Sequence, residues 1–410
     1  MPEPSQSAIA VVGAGLAGLR VCERLRAAGH SGPIVVCGEE AYPPYNRPPL
    51  SKELLRGTMA RDKLPFRQRA ATEDVDWRLG IRVQSADLDA HKLILADGTT
   101  VGWDGLVVAT GVRARRLDIG GDPAWRHTIR TVDDALRLAP ELTPGARVVV
   151  IGAGFIGCEV AASAVECGCD VTVVEPLATP LAGPVGPLVG REVQRRHEHH
   201  RVRFALGRTV RAIIDASEHL QVELDNGAIL AADVVVEAVG SVANTEALAG
   251  QGLDLSNGVL CDAGLHPLRD GRPVIDVVAV GDVARFPIRA YGDAPVRIEH
   301  WTMPTDMAAH AAASLLAGLA DTRAPDDSFA PLPTFWSEQY GVRMQSFGLP
   351  HLGLEEVRVL EGDLAEECAV GFHRDGRLVG AVLIGMGKRM LEFRAAVVEG
   401  ARSALGSGHR

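Results

Sequence analysis

The chain has 410 residues, 47% of them hydrophobic and 23% charged, with a formal net charge of −10. That length allows roughly two to four domains with sizeable cores, and the acidic balance lacks the basic footprint of a general nucleic-acid binder. No apolar run reaches the roughly twenty residues of a membrane span; the odd count of 7 cysteines, none spaced C-x-x-C, fits reduced thiols in a cytosolic protein better than a secreted disulfide framework.

The apolar run Ile9 to Leu19 is preceded by Glu3 without Lys or Arg and is broken by glycines, so it reads as structure rather than as a signal sequence. It opens the first of two copies of one motif. Ile9-Ala-Val-Val-Gly-Ala-Gly-Leu-Ala-Gly18 pairs with Val148-Val-Val-Ile-Gly-Ala-Gly-Phe-Ile-Gly157. Each copy continues with helical composition (Leu19 to Ala28; Cys158 to Glu166), a glycine (Gly29; Gly168) and a second apolar run (Ile34 to Cys37; Val171 to Val174). Both second runs end in acid, at Glu39-Glu40 and at Glu175. Strand, glycine turn, helix, strand, acid predicts a βαβ mononucleotide motif.

The residue types fit that chemistry. Gly13 and Gly152 permit a tight turn, Gly15 and Gly154 admit a pyrophosphate to the backbone, and Gly18 and Gly157 let helix and strand pack closely. The helix N-terminus attracts the anion, and the carboxylate about twenty residues on accepts ribose hydroxyls.

Leu106-Val-Val-Ala-Thr-Gly111 and Val234-Val-Val-Glu-Ala-Val-Gly240 are further strand candidates, preceded by Asp104 and Asp233. Val277-Val-Ala-Val-Gly-Asp282 is another, and its end delivers a carboxylate to the ligand crevice of an open α/β sheet. Because this last run follows the second copy, the first nucleotide domain is expected to be interrupted by a second. Pro325 to Pro333 reads as a linker; Ala369 to His373 and Leu378 to Ile384 read as strands joined by the turn Arg374 to Arg377.

The two fingerprints, Ala109-Thr-Gly111 and Val280-Gly-Asp282 together resemble the two-dinucleotide-binding flavoproteins of the glutathione reductase type. Pro48-Pro-Leu-Ser-Lys52, Arg297-Ile-Glu-His-Trp301 and Thr334-Phe-Trp-Ser-Glu-Gln-Tyr340 are similar to the NADH-dependent ferredoxin reductases of bacterial oxygenases, the putidaredoxin, rubredoxin and biphenyl dioxygenase reductase type. The resemblance implies an α/β chain with two Rossmann-like dinucleotide-binding domains, one inserted in the other, plus a C-terminal α+β domain. The expected boundaries are 1–111 with 241–322 for FAD, 112–240 for NADH, and 323–410 for the last domain.

It also implies roles. Gly13, Gly15, Leu16, Ala17 and Gly18 form the FAD fingerprint, Glu39 or Glu40 meets the adenosine ribose, and Ala109, Thr110 and Gly111 complete that side. Arg47, Lys52, Val83, Arg130 and Trp301 match positions near the flavin, and Asp282 matches the carboxylate at the ribityl chain. Gly152, Gly154, Phe155, Ile156, Gly157, Glu159, Glu175 and Gly240 form the NADH site. Glu175 favours NADH, since a carboxylate there bonds a 2′-hydroxyl and repels a 2′-phosphate. Lys52, one of only four lysines, is expected to pair with Glu159 beside the flavin, where a cation stabilises negative charge.

Other residues weigh against other chemistries. Ala41 to Lys52 contains no cysteine, so dithiol chemistry is excluded there, and Cys167-Gly-Cys169 reads as buried structural thiols. His197, His199 and His200 lie among arginines, and Arg201 takes the final place of an H-E-x-x-H pattern, so they read as a solvated helix face and no metal is expected. By analogy Trp336 lies near the flavin edge, with a core or interface position equally open, and His300 is open to a functional role in the Arg297 to Trp301 motif or to a structural hydrogen bond. Thr302 to His310 departs from the Asn and Gln pattern of the family, which leaves local packing and partner specificity open.

The implied activity passes electrons from NADH through FAD, one at a time, to a small iron–sulfur ferredoxin serving a monooxygenase such as a cytochrome P450. An NADH oxidase or quinone reductase on the same scaffold is an alternative, as is a redox-sensing interaction flavoprotein resembling apoptosis-inducing factor, against which the acidic chain counts. Residues 321–370 hold ten acids and three bases, whereas residues 56–69 hold five bases and one acid. Arg61, Lys63, Arg67 and Arg69 are therefore candidates for a patch that receives an acidic ferredoxin.

Overall fold

The computed structural model describes residues 6–217, 219–322 and 329–406. Residues 325–328 of the expected linker lie outside the described residues, and 329–333 carry no regular structure. The chain forms two compact units. One gathers Met1–Asn46, Pro65–Arg113 and Val242–Thr334; the other gathers Arg47–Leu64, Ala114–Ser241 and Phe335–Arg410.

The first unit is built on a five-stranded parallel sheet in the spatial order Val277–Ala279, Gly105–Val108, Ile9–Val12, Ile34–Gly38, Asp76–Leu79. Ile9–Val12 and Gly105–Val108 are buried at every position, which is why they read as unbroken apolar runs rather than as alternation. The helices Leu16–Ala27 and Met303–Leu319 pack together, and the strands Val83–Asp87, Lys92–Leu95 and Thr100–Gly102 form a small antiparallel sheet.

The second unit repeats the plan. Its parallel sheet runs Arg203–Leu206, Asp170–Glu175, Arg147–Ile151, Val234–Glu237, Arg126–His127. An antiparallel meander of Val210–Ala216, His219–Leu224 and Ile229–Ala232 covers it, packing Ile213, Leu220, Val222 and Leu224 onto Val149, Ile151, Val174 and Val235. Each of these aliphatic side chains contributes about 1.5–3 kcal/mol by leaving water.

The repetition extends to single side chains. Asp104 accepts the Ala8 N–H at 2.7 Å, and Asp233 accepts the Arg147 N–H at 2.8 Å. Each aspartate thereby fastens the start of the central strand to the strand beside it.

The second unit also contains a five-stranded antiparallel sheet in the order Thr334–Gln339, Val342–Gly348, Arg377–Ile384, Cys368–Arg374, Glu356–Gly362, with the helix Met390–Gly406 packed on it. Both strands expected in this region are present. Their turn places Asp375 at φ 52° and Gly376 at φ 71°, the left-handed pair that a two-residue hairpin loop of right-handed twist requires. The helical segment Ala182–His199, kinked at Gly186 where φ is 74°, reaches the same region: Arg195 donates to the Ala365 carbonyl at 3.1 Å, and Arg196 to that of Glu366 at 2.6 Å. Among the described residues, no helix is long and apolar enough to cross a membrane.

Candidate functional site

The two glycine turns are superimposable in their constraints. Gly13 has φ 116° and Gly152 φ 99°, and a Cβ at either would lie 2.2 or 2.4 Å from the carbonyl oxygen of Ala109 or Ala238. A Cβ at Gly18 would lie 2.2 Å from the Gly13 carbonyl oxygen, and one at Gly157 2.0 Å from that of Gly152. The middle glycines differ, because nothing lies within 4 Å of a Cβ at Gly15 or Gly154. Each of these two caps a helix start, Leu16–Ala27 or Phe155–Glu166, that has no side-chain cap and no acid in its first turn. Unfilled space in front of uncapped N–H groups is the shape a phosphate occupies.

All strands of each main sheet run parallel, so their carboxyl ends share one edge. In the first unit that edge carries half-buried Asp282, then Ala109-Thr110-Gly111, then the Gly13 turn, then exposed Glu39 and half-buried Glu40. Thr110 Oγ1 donates to the Asn244 carbonyl at 2.6 Å and the Asn244 amide returns a bond to the Thr110 carbonyl at 3.0 Å, which fixes the loop. Glu40 accepts the Tyr45 hydroxyl. Val83 is buried at the head of the small sheet, and half-buried Trp301 lies just before the Met303–Leu319 helix.

In the second unit the edge carries the Gly152 turn, Glu175 and, past Glu237, exposed Gly240. Glu175 is not a solvated strand end: it is 9% exposed, and its Oε2 and Oε1 accept the N–H groups of Ala153 at 2.7 Å and Leu177 at 3.0 Å. Each oxygen keeps a lone pair for a ribose hydroxyl. Phe155 is half-buried and Ile156 exposed at the helix start.

Lys52 and Glu159 meet in this unit. The short helical turn Pro48–Ser51, with proline at its start, delivers Lys52, while the helix Phe155–Glu166, buried from Gly157 to Ala164, presents Glu159 from its second turn. Lys52 Nζ lies 2.5 Å from Glu159 Oε2, with the two residues 8% and 4% exposed. Lys52 also donates to the Pro48 carbonyl at 3.1 Å, and Ser51 Oγ donates to the same Glu159 oxygen at 2.6 Å. Glu159 Oε1 accepts from Ser337 Oγ at 2.7 Å. Nearby in sequence, Arg47 donates to the Arg130 carbonyl at 2.6 Å, so these two expected flavin-side residues are brought together.

Residues 7–309 match the family described as Pyridine nucleotide-disulphide oxidoreductase, and residues 334–405 match a Reductase C-terminal domain. This chain belongs to the pyridine nucleotide-disulphide oxidoreductase family. Among its relatives are the ferredoxin–NAD(+) reductase component of the anthranilate 1,2-dioxygenase system of Burkholderia cepacia, 37% identical over 95% of this chain and 94% of that one, and rhodocoxin reductase of Rhodococcus erythropolis, 35% identical over 83% and 78%. Among solved structures, putidaredoxin reductase in its covalent complex with putidaredoxin superposes with a TM-score of 0.87 at 28% identity, covering 96% and 93%. The ferredoxin reductase of the CYP199A2 system of Rhodopseudomonas palustris gives 0.85 at 31% identity, covering 94% and 93%.

The glycine geometry of this oxidoreductase separates positions where the fold excludes a side chain from positions where it leaves room for one. Gly18→Ala and Gly157→Ala are expected to lower the thermal midpoint, because the added methyl meets backbone. Gly15→Ala and Gly154→Ala are expected to fold with little change and to lose affinity for FAD and NADH respectively, as read by cofactor retention and by NADH titration.

The expected burial of the thiols holds in part: all seven cysteines are free, Cys169 is buried and Cys167 half-buried, and burial pushes Cys169 up to about 11 and raises Cys167 as well, which favours the thiol over the nucleophilic thiolate. The departure from the family pattern at Thr302 to His310 continues as an ordinary helix, with Thr302 donating to the Thr334 carbonyl at 3.1 Å and His310 bonded to the Ala263 carbonyl at 2.9 Å. His300 is half-buried.

The histidine cluster corrects the sequence reading. His199 and His200 are exposed, but His197 is 0% exposed, bonded to Gln339 at 2.9 Å and Tyr340 at 2.8 Å. One helix face is covered by the Thr334–Gln339 strand and its turn, which no local pattern discloses. Burial pushes the His197 imidazole down to about 4, so the folded protein keeps it neutral while the unfolded chain protonates it near 6.5. The unfolded state therefore binds more protons between those values, and stability present above pH 6.5 falls as pH drops toward 4. A loss of order 2 kcal/mol is expected by pH 5, and His197→Gln should flatten that part of the urea-midpoint profile.

Proposed function

We propose that this oxidoreductase takes electrons from NADH and delivers them one at a time to a small iron–sulfur ferredoxin, of [2Fe-2S] or similar type, that supplies a monooxygenase such as a cytochrome P450. FAD, when bound, supplies the conversion between a two-electron donor and single-electron transfers. The reading assigns residues 1–111 and 241–322 to FAD, 112–240 to NADH and 323–410 to a C-terminal domain. The first glycine turn, Glu39 or Glu40, Val83, Ala109 to Gly111, Asp282 and Trp301 hold FAD with Arg47 and Arg130. The second turn, Glu175 and Gly240 hold NADH. A cytoplasmic location accords with seven free thiols.

The observation that carries this reading is the buried Lys52–Glu159 pair in a chain whose Ala41 to Lys52 segment has no cysteine. A held cation at that place supports electrostatic stabilisation, and without thiols the electrons go to an external acceptor. The test is anaerobic reduction by NADH in a stopped flow, followed by mixing with an oxidised [2Fe-2S] ferredoxin, which is expected to be reduced at the rate of NADH turnover. Delivery to oxygen or a quinone but to no ferredoxin would replace the proposal with an oxidase or quinone reductase. Flavin reduction without turnover on any acceptor would point to a redox sensor.

Arg61, Lys63, Arg67 and Arg69 are all exposed, which supports their assignment to partner docking; half-buried Trp336, with the Arg343 guanidinium 5.3 Å from its ring centroid, is the remaining candidate. Reversing any of the four charges is expected to weaken ferredoxin-dependent turnover about two- to fivefold at low salt, with the difference shrinking as salt rises. Flavin reduction by NADH should be unaffected.

A further inference from the structure

The Lys52–Glu159 pair terminates a longer hydrogen-bonded chain, all of it within the second unit, that runs from half-buried Tyr340 and Gln339 to buried Ser337. Tyr340 Oη lies 2.8 Å from His197 Nδ1, His197 Nε2 lies 2.9 Å from Gln339 Oε1, Gln339 Nε2 donates to Ser337 Oγ at 3.1 Å, and Ser337 Oγ donates to Glu159 Oε1 at 2.7 Å. Ser337 and Gln339 alternate along one strand and so share its face. Tyr340, in the left-handed region at φ 54°, turns the chain there and stacks on His200 with ring centroids 3.7 Å apart.

With the His197 imidazole held neutral by its burial, one proton assignment satisfies every link. A carboxylate only accepts, so Ser337 gives Glu159 its single proton and must itself accept from the Gln339 amide N–H. Gln339 Oε1 then faces His197, which carries its proton on Nε2 and accepts the Tyr340 hydroxyl at Nδ1. Four donors in series thus point toward Glu159, an arrangement in which each bond polarises the next.

The two other partners of the carboxylate, Lys52 and Ser51, both bind Oε2. The last torsion of a glutamate is broad, so those contacts alone leave the carboxylate plane loosely defined, and the bond from Ser337 to Oε1 fixes it. We propose that Ser337 is a positioning residue for electron transfer from NADH, holding Glu159 so that Oε2 stays aimed at Lys52, and that Gln339, His197 and Tyr340 act through it. This rests on the reading of Lys52 and Glu159 as the pair beside the flavin.

The composition supplies a direct test. Of the four lysines, Lys63, Lys92 and Lys388 are exposed and only Lys52 is buried. In holoenzyme labelled with 15N-lysine, a persistent side-chain ammonium signal is therefore expected from Lys52. Ser337→Ala is expected to speed exchange of that signal and to slow flavin reduction by NADH, each about tenfold, for loss of one hydrogen bond to a charged group. NADH affinity should stay the same, and Ser337→Thr, which keeps the hydroxyl, should restore both readouts.

A Ser337→Ala holoenzyme with the wild-type ammonium signal and reduction rate would overturn the proposal, as would Thr and Ala variants equally impaired, which would make the effect one of packing. Should Ser337→Ala not fold, Gln339→Leu breaks the chain one link further out: faster Lys52 exchange supports the proposal and an unchanged signal overturns it. Failure of the underlying reading is distinguishable. It appears as an unchanged reduction rate in Lys52→Met, whereas failure of the positioning role appears as a slow Lys52→Met beside an unperturbed Ser337→Ala.

Discussion

Replacing Lys52 with Met is expected to slow reduction of the bound FAD by NADH by about 10²-fold, the scale on which loss of one preorganised electrostatic group acts in a water-excluded site. The methionine stem refills most of the space left by lysine, so the change removes a charge more than it opens a cavity. Glu159 retains the hydroxyls of Ser51 and Ser337, at 2.6 and 2.7 Å, and is not left without donors. Glu159→Gln should act in the same direction and more weakly, because Lys52 keeps its charge and its bond to the Pro48 carbonyl. Stopped-flow absorbance of the flavin at saturating NADH separates these effects from NADH binding, which should change little. Flavin reduction at the wild-type rate in Lys52→Met would remove this pair from the reaction.

The largest loss of stability is expected from Arg126→Met. Glu237, 1% exposed, accepts Arg126 Nε at 3.0 Å and Nη2 at 2.9 Å on Oε1, and the Leu117 N–H at 2.6 Å on Oε2. The same guanidinium donates to the carbonyls of Leu117, at 2.8 Å, Gly120, at 2.9 Å, and Ile119, binding residues 117–120 to the strand end. Removing it leaves the buried carboxylate only the Leu117 N–H and the exposed Arg116 guanidinium, 3.8 Å away, and takes the donor from those carbonyls, a loss of about 3–5 kcal/mol. Glu237→Gln keeps an acceptor for the backbone and should cost less, about 1–3 kcal/mol. The double variant Arg126→Met/Glu237→Val should be less destabilised than Arg126→Met alone, since no uncompensated charge remains. Urea midpoints at fixed FAD concentration decide the order of the three; a double variant no more stable than Arg126→Met would show that the carboxylate is not what the arginine compensates.

The parts of the molecule that were legible in the sequence are those whose causes are local. Gly13 and Gly152 need a positive φ, Gly18 and Gly157 face a carbonyl within their own turn, and Asp375-Gly376 is a hairpin loop by its backbone alone. Parallel strands buried on both faces leave continuous apolar runs, so both nucleotide folds, their acids and their order could be read directly. Lys52 and Glu159, 107 positions apart, were joined only through resemblance to a family, since no period links them.

The tertiary structure decided everything that depends on which surfaces meet. His197, His199 and His200 are alike in composition and setting, yet one is sealed and two are wet, because the Thr334–Gln339 strand and its turn cover one helix face and leave the other to solvent. Glu237 interrupts a valine strand for a reason visible only once Arg126 lies beside it. Ser337 stands inside a legible motif, but its partner is 178 residues away. A sequence by itself determines dihedral needs and burial patterns, which are properties of a short stretch of chain. Which buried polar groups satisfy one another is a property of the packed whole, because a desolvated donor or acceptor can be paired only by whatever the fold brings within about 3 Å.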